Sequence, residues 1–346
     1  MNNVKIIKKD NLIHNLRNIK KCNKTICAMI KADAYGHGMD NIIKIIKNEV
    51  SFFGVANEEE ALKAKKITPN SNILIVGKSS NFGRNISKNI SFTIDSLSEL
   101  LRVLKTCELK NAQAKIHIAV NTGMNRIGTN DLQEFKNMLD VFNINARYLK
   151  LEGVFTHCFD TDCTKTHFYD QMRRFYEFVK LIKDDNTIIH IGGSFALNHK
   201  IPNFVNMIRV GYFLYGYGQR SLRPIMHIKS NIIKIIECKS GDYVGYGNRY
   251  KLCSDSKIAV VPIGYADGLP RCVSNKYEVN LNGKKARIIG NICMDMFMID
   301  VTSLECQVGD EVVVFDNALY LAKQANTSPY EILTNFCSFR GKSLIV

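Results

Sequence analysis

Ile30-Lys31-Ala32-Asp33-Ala34-Tyr35-Gly36-His37-Gly38 is the stretch on which the fold turns. It ends a strongly apolar, β-type run, Thr25 to Ile30, with a single lysine, and small residues, a tyrosine and two glycines come at once after it. An ammonium group is costly to desolvate, so a lysine straight after a buried strand is awkward on structural grounds. The same desolvation lowers its pKa and makes its amine nucleophilic, which is what a Schiff-base lysine needs. Taken alone, Lys31 reads more simply as a strand-end lysine that snorkels to water. The rest of the chain has to decide between the two.

Working outward, strand-like runs alternate with amphipathic helical ones. After a short strand-like piece at the N-terminus, Asn11–Lys21 carries Leu12, Ile13, Leu16 and Ile19 at helical spacing. Strands are expected over Thr25–Ile30, Ser51–Ala56, Asn72–Val76, Ile90–Ile94, Lys115–Val120, Leu149–Thr156, Thr187–Ile191 and Asn206–Val210. Helices are expected over Asn57–Ile67, Ser96–Leu109, Thr129–Phe142 and Lys165–Lys183, with capping residues at Asp95-Ser96 and Thr129-Asn130-Asp131. Eight strands with helical connections in roughly 200 residues fit a (β/α)8 barrel better than an open sheet. Beyond Arg223-Pro224 the pattern changes to short alternating runs broken by Gly, Asn and Asp: Ile225–Ile236, Asp242–Val244, Lys257–Val261, Glu278–Leu281, Arg287–Ile289, Phe297–Val301 and Glu311–Phe315. A helix near Leu319–Ala325 and a last strand close the chain. The expected fold is therefore α/β: a TIM-like barrel over 11–222 and a mainly antiparallel β domain over 223–346, with residues 1–10 supplying a strand to the latter.

A length of 346 residues exceeds what one core supports, and 46% apolar with 23% charged residues is ordinary for a soluble globular protein. The eleven cysteines show no framework: Cys22/Cys27 and Cys158/Cys163 are too widely spaced for CxxC, and no His-x-x-x-His completes a zinc site. They read as reduced thiols of a cytoplasmic protein with no metal. Neither a signal-peptide core nor a membrane-length apolar run is present. The net charge of +15 is scattered over helical segments, as at Lys63, Lys65, Lys66, Lys180 and Lys183, which favours a solvated surface over nucleic-acid binding.

Barrel chemistry sits at the C-terminal ends of the strands, and that rule selects one set of polar residues. Lys31 comes after the first strand, Asn121-Thr122-Gly123-Met124-Asn125-Arg126 after the fifth, and His157 after the sixth. Gly192-Gly193-Ser194 comes after the seventh and Arg209-Val210-Gly211-Tyr212 after the eighth. Two glycines, a hydroxyl and a helix start next to them have the makings of an anion site. With Lys31 at the same mouth, an aldehyde phosphate becomes a specific proposal, namely pyridoxal 5′-phosphate.

At this point the sequence resembles a known family. Lys31-Ala32-Asp33-Ala34-Tyr35-Gly36-His37-Gly38 is nearly the signature of alanine racemases. Thr122-Gly123-Met124-Asn125-Arg126-Ile127-Gly128, Arg209-Val210-Gly211 with Leu214-Tyr215-Gly216, Val244-Gly245-Tyr246-Gly247, Ile263-Gly264-Tyr265-Ala266-Asp267-Gly268 and Ile292-Cys293-Met294-Asp295 match further motifs in order. The resemblance implies that Lys31 carries the cofactor and acts as one acid/base group. It implies that Tyr246, from the partner subunit of a homodimer, is the other. Arg209 matches the arginine facing the pyridine nitrogen, Arg126 the one near the phenolic oxygen, and His157 the residue linking Tyr246 to Arg209. Tyr35, Ser194, Gly211, Tyr212 and Tyr330 fall where the family binds cofactor, and Met294 and Tyr265 where it lines the substrate pocket. Racemisation removes a proton from one face of a carbon and returns one to the other, so two bases of different kind make chemical sense.

The chain departs from the pattern in places. Asn121 stands where the family's motif begins with Asp, Ala119 where some members carry a carbamylated lysine, and Gly193 where the phosphate turn usually has Asn. None touches the proton-transfer pair. The expected activity is racemisation of alanine, supplying D-alanine for peptidoglycan. Racemisation of serine or another small amino acid, and a non-catalytic pyridoxal-phosphate carrier, are the alternatives.

Overall fold

The computed structural model describes residues 3–79, 82, 88–159 and 164–346; Met1, Asn2 and Cys163 of the sequence reading lie outside them. Eight parallel strands close into a barrel: β2 (Thr25–Met29), β3 (Phe52–Val55), β4 (Asn72–Lys78), β5 (Ile90–Ile94), β6 (Ala114–Ala119), β7 (Leu149–His157), β8 (Ile188–Gly192) and β9 (Met207–Val210). The ring closes where Cys27 of β2 pairs with Arg209 of β9. All of β3 and β5 is buried, as parallel strands with helices outside require. All eight expected barrel strands are present within two residues at each end.

Local chemistry sets where the helices start. Asn57 caps Glu58–Ile67 by accepting from the Glu60 N–H at 3.0 Å. Ser96 caps Leu97–Lys110, which ends on Asn111 in the left-handed region. Asp131, rather than Thr129, caps Leu132–Ile144, accepting from the N–H groups of Gln133 and Glu134. Each such cap contributes about 1 kcal/mol.

A nine-stranded sheet is built from β1 (Val4–Ile7), β10 (Met226–Asn231), β11 (Lys234–Cys238), β12 (Ser256–Val261), β13 (Glu278–Leu281), β14 (Lys284–Ile289), β15 (Phe297–Asp300), β16 (Glu311–Phe315) and β17 (Lys342–Ile345). Its order is β11-β12-β15-β14-β13-β16-β10-β1-β17, antiparallel except for the β1–β17 edge. Two details differ from the sequence reading. Ile225–Ile236 is two strands broken at Ile232-Ile233, because Ile232 and Ile233 turn to pair with Asp310, Gly309 and Val260. Asp242–Val244 forms only a bridge, Tyr243 to Lys251, because the Leu252 N–H and Gly241 N–H tie it into a tight loop.

The chain divides into two compact units, Ile13–Ala34 with Ile42–Leu222, and Met1–Leu12 with Tyr35–Asn41 and Arg223–Val346. The excursion Tyr35–Asn41 thus packs with the sheet-bearing unit. Within that unit a side chain at Gly36, whose φ is +79°, would meet the Leu333 carbonyl oxygen at 2.1 Å. The buried Lys5 ammonium donates to the carbonyls of Gly36 (2.8 Å) and Phe336 (3.1 Å), fastening β1 to the same turn.

The barrel core is apolar apart from a few buried polar groups. His117 on β6 and His190 on β8 are fully buried, with His117 Nδ1 2.7 Å from His190 Nε2. Burial pushes both imidazoles below their ordinary pKa, so both are neutral.

Gly36→Ala should cost more than about 2 kcal/mol in urea unfolding, because it combines a disfavoured φ with a backbone clash. His117 and His190 stay neutral in the fold but protonate near pH 6.5 in the unfolded chain, so their contribution is whole above that pH and declines below it. Stability should therefore fall as the pH is lowered through about 6.5, read as a drop in the unfolding ΔG between pH 7 and 5.5.

Candidate active site

Lys31 stands two residues beyond the end of β2, and the backbone after it is strained. Ala32, Asp33, Ala34 and Tyr35 take φ between 49° and 57°, a left-handed turn built without glycine. Such a turn costs about 1–2 kcal/mol per residue, hence ~4–8 kcal/mol in all. Side-chain and backbone anchors hold it. The Glu60 carboxylate accepts from the N–H of Ala32 and of Ala56, both at 2.7 Å, and Asp33 pairs with Lys63 at 2.9 Å. The Ala34 N–H reaches back to the Ile30 carbonyl at 2.8 Å. Sequence reasoning missed Glu60, although its place three residues after the Asn57 cap marks a carboxylate free to reach backwards.

The half-buried Lys31 amine is held below its ordinary pKa by burial, then by Arg126 and Arg209, with Glu60 opposing. Arg126, His157 and Arg209 line one cavity at the C-terminal ends of the strands, together with Ala119, Asn121 and Met124. Burial and the charges of Arg209, Arg126 and Lys31 push His157 down to about 3, so it is neutral. Arg209 is 4% exposed, and burial lowers it to about 10, which leaves it cationic at neutral pH. Its guanidinium donates to the Thr156 carbonyl (3.1 Å) and to His190 Nδ1 (2.7 Å), lies 3.4 Å from His157 Nδ1, and sits 4.3 Å over the Phe155 ring. A side chain at Gly192 would strike Arg209 Nη2 at 2.3 Å and His157 Nδ1 at 2.4 Å, so that glycine makes room for both.

On the same mouth, Gly193 takes φ +107° and Ser194 opens only a short 3-10 turn, Ser194–Asn198, at the expected helix start. The buried Ser194 Oγ accepts from the N–H groups of Gly211 (3.3 Å) and Phe213 (3.4 Å), tying the β8 and β9 loops together. Tyr212 is buried and stacks on Tyr217 at 5.5 Å.

The remaining expected residues lie in the sheet-bearing unit. Tyr35 and Tyr330 meet ring to ring at 5.9 Å. Tyr246 starts a 3-10 turn after Gly245 (φ +71°) and is 72% exposed, with its carbonyl held by Asn291 at 2.8 Å. Tyr265 (42% exposed) and Met294 (53%) share one lip, because the N–H groups of Tyr265 and Ala266 bond the carbonyls of Cys293 and Met294. Arg340, which sequence reasoning missed, grips Asp267 through two bonds (2.8 and 2.9 Å) and Asp295 through one (2.8 Å). It thereby locks the two motifs that carry Tyr265 and Met294.

Two family models cover nearly the whole chain: the N-terminal domain of alanine racemase over residues 7–219 and the C-terminal domain over 225–341. Alanine racemase 2 of Caldanaerobacter subterraneus subsp. tengcongensis is 34% identical over 93% of this chain and 89% of its own. The structure of alanine racemase from Clostridium difficile 630 superposes with a TM-score of 0.92 at 30% identity, covering 100% of this chain and 96% of that one. A Bartonella henselae alanine racemase described with covalently bound pyridoxal phosphate superposes at a TM-score of 0.88 and 25% identity, over 100% of both chains. Family models, sequence relatives and fold agree along the full length, and the chain belongs to the alanine racemase family.

Proposed function

We propose that this protein interconverts L- and D-alanine using pyridoxal 5′-phosphate, with Lys31 and Tyr246 of the partner subunit as the two bases. The observation that carries the reading is the half-buried Lys31, whose amine is held below its ordinary pKa beside Arg126 and Arg209. The residues fit the cofactor on their own chemistry: a nucleophilic amine for its aldehyde, a buried guanidinium, and a serine hydroxyl among backbone N–H groups for its phosphate. When bound, the cofactor supplies an electron sink that acidifies the substrate's α-proton.

Around it each residue has a defined task. Lys31 holds the cofactor and takes or returns a proton at Nζ. Arg209 would face the ring nitrogen and, cationic at neutral pH, would not give up its own proton to it, leaving that nitrogen unprotonated. His157, neutral and flanked by Arg209, relays between that arginine and Tyr246. By the family resemblance, Ser194, Gly211 and Tyr212 would hold the phosphate, a role the resemblance gives Tyr35 and Tyr330 too. Arg126 would bind on the substrate side, and the resemblance gives Tyr265 and Met294 the substrate pocket. Tyr246 is exposed on its own chain, which suits a group presented to a second copy. The reading therefore includes a homodimer with shared sites. The reaction would supply D-alanine for peptidoglycan in the cytoplasm, and no helix among the described residues is long and apolar enough to cross a membrane.

Incubating the purified protein with pyridoxal phosphate and L-alanine should produce D-alanine, read by chiral chromatography. L-serine and other small amino acids run in parallel would expose a different preference. Lys31→Ala should lose the visible absorption of bound cofactor and at least ~10³-fold in kcat; retained absorption would sink the lysine assignment. Tyr246→Phe should bind cofactor normally and racemise at least ~10²-fold more slowly, and activity should fall on dilution below the dimer dissociation constant. A fully active monomer would rule out shared sites.

A further inference from the structure

Resting on the cofactor-binding role of Arg209, we propose that Glu152, at the opposite end of the barrel core, is the counter-ion of Arg209, acting through His190 and His117 as a chain of positioning residues.

The contacts run unbroken through the core. Arg209 Nη1 lies 2.7 Å from His190 Nδ1, His190 Nε2 lies 2.7 Å from His117 Nδ1, and His117 Nε2 lies 3.1 Å from Glu152 Oε2. The chain's ends fix its direction. A guanidinium only donates and a carboxylate only accepts. The two imidazoles between them are neutral, so each must accept at Nδ1 and donate from Nε2. Every bond then points from Arg209 toward Glu152, and reversing one tautomer would set donor against donor at one junction.

The surroundings are shaped for this chain. Strand β7 bulges against β6 between Ile116 and His117, and the extra residue is Glu152, which is re-aimed into the core. A side chain at Gly153 would strike His117 Nδ1 at 2.4 Å, as one at Gly192 would strike Arg209. Ser91 donates to the same Glu152 Oε2, and Lys115 reaches Glu152 Oε1 at 2.7 Å. Burial pushes the Glu152 carboxyl up, but His117, Lys115 and Ser91 together hold it below the ordinary carboxylate range. Among the described residues no carboxylate touches Arg209 directly. A close carboxylate would occupy the donors that the ring nitrogen needs; a distant one, transmitted by polarised imidazoles, compensates the buried cation and leaves its face open. Passing a proton down the chain would discharge both ends, with Arg209 at about 10 and Glu152 well below it, so the chain positions and polarises without conducting.

The test uses 15N-histidine-labelled protein and the Glu152→Gln variant, whose carboxamide oxygen still accepts from His117 but carries no charge. In wild type, with and without cofactor, both His117 and His190 should carry hydrogen on Nε2 and a bare Nδ1. A reversed tautomer or a doubly protonated ring at either position overturns the chain, and this readout does not depend on the racemase reading. In the holoenzyme, Glu152→Gln should shift the cofactor's absorption maximum and lower kcat about tenfold or more, with KM within about twofold. Ser91→Ala, which keeps the charge, should leave both near wild type. A Glu152→Gln enzyme with unchanged spectrum and kcat, or an equal loss in Ser91→Ala, overturns the counter-ion role. Wild type that racemises no amino acid would fail the functional reading instead, while the tautomers in cofactor-free protein still judge the chain.

Discussion

The site depends on one backbone constraint: four consecutive non-glycine residues after Lys31 wound left-handed. At ~4–8 kcal/mol the turn consumes a large part of what a domain of this size has to spare. It persists because both ends are over-determined. Glu60 ties its first N–H to β3's end, Asp33 is paired with Lys63, and the chain leaves through Gly36, where only hydrogen fits beneath the Leu333 carbonyl. Strain of this kind fixes the direction in which the lysine leaves the strand, which a relaxed loop could not do. Tyr35, the last residue of the turn, meets the Tyr330 ring at 5.9 Å within the sheet-bearing unit.

Charge around Lys31 obeys a second rule, that cations crowd while their compensating carboxylates stand back. Burial chiefly depresses both His157 and Lys31; Arg209, Arg126 and Lys31 add to it at His157, and the two arginines add to it at Lys31, where Glu60 opposes them. Ordinary salt-bridge logic would place an acid against Arg209. Its nearest contacts are instead a carbonyl, two imidazoles and an aromatic face, all of which accept charge density without quenching the cation.

Strand identity was legible because the barrel strands are short apolar runs buried on both faces, and helix starts because Asn57, Ser96 and Asp131 are chemically marked. That Lys31, Arg126, His157, Ser194 and Arg209 gather at or just beyond the C-terminal ends of barrel strands was legible in the strand pattern. The left-handed turn was not legible, because Ala-Asp-Ala-Tyr carries no glycine to announce positive φ and reads as helix or loop. Glu152 was missed because a bulge, invisible to period-2 patterning, reverses its facing. Arg340 was missed because its partners Asp267 and Asp295 lie in motifs separated in sequence and joined only in space.

The departures at positions 119 and 121 belong to the same electrostatic design. Ala119 is buried and uncharged, and Asn121 uses its side chain locally, its Oδ1 accepting from the N–H of Gly123 (3.1 Å) and Asn125 (3.0 Å) while its Nδ2 donates to Asn125 Oδ1 (3.0 Å). A neutral amide thus shapes the loop that presents Arg126. Asp at 121 would keep the two accepted bonds, lose the donated one, and place an anion in the cavity that Arg126 lines. That anion would draw on the Arg126 charge that now holds Lys31 and His157 down. The neutral pair therefore leaves the arginine's field directed at Lys31 and His157.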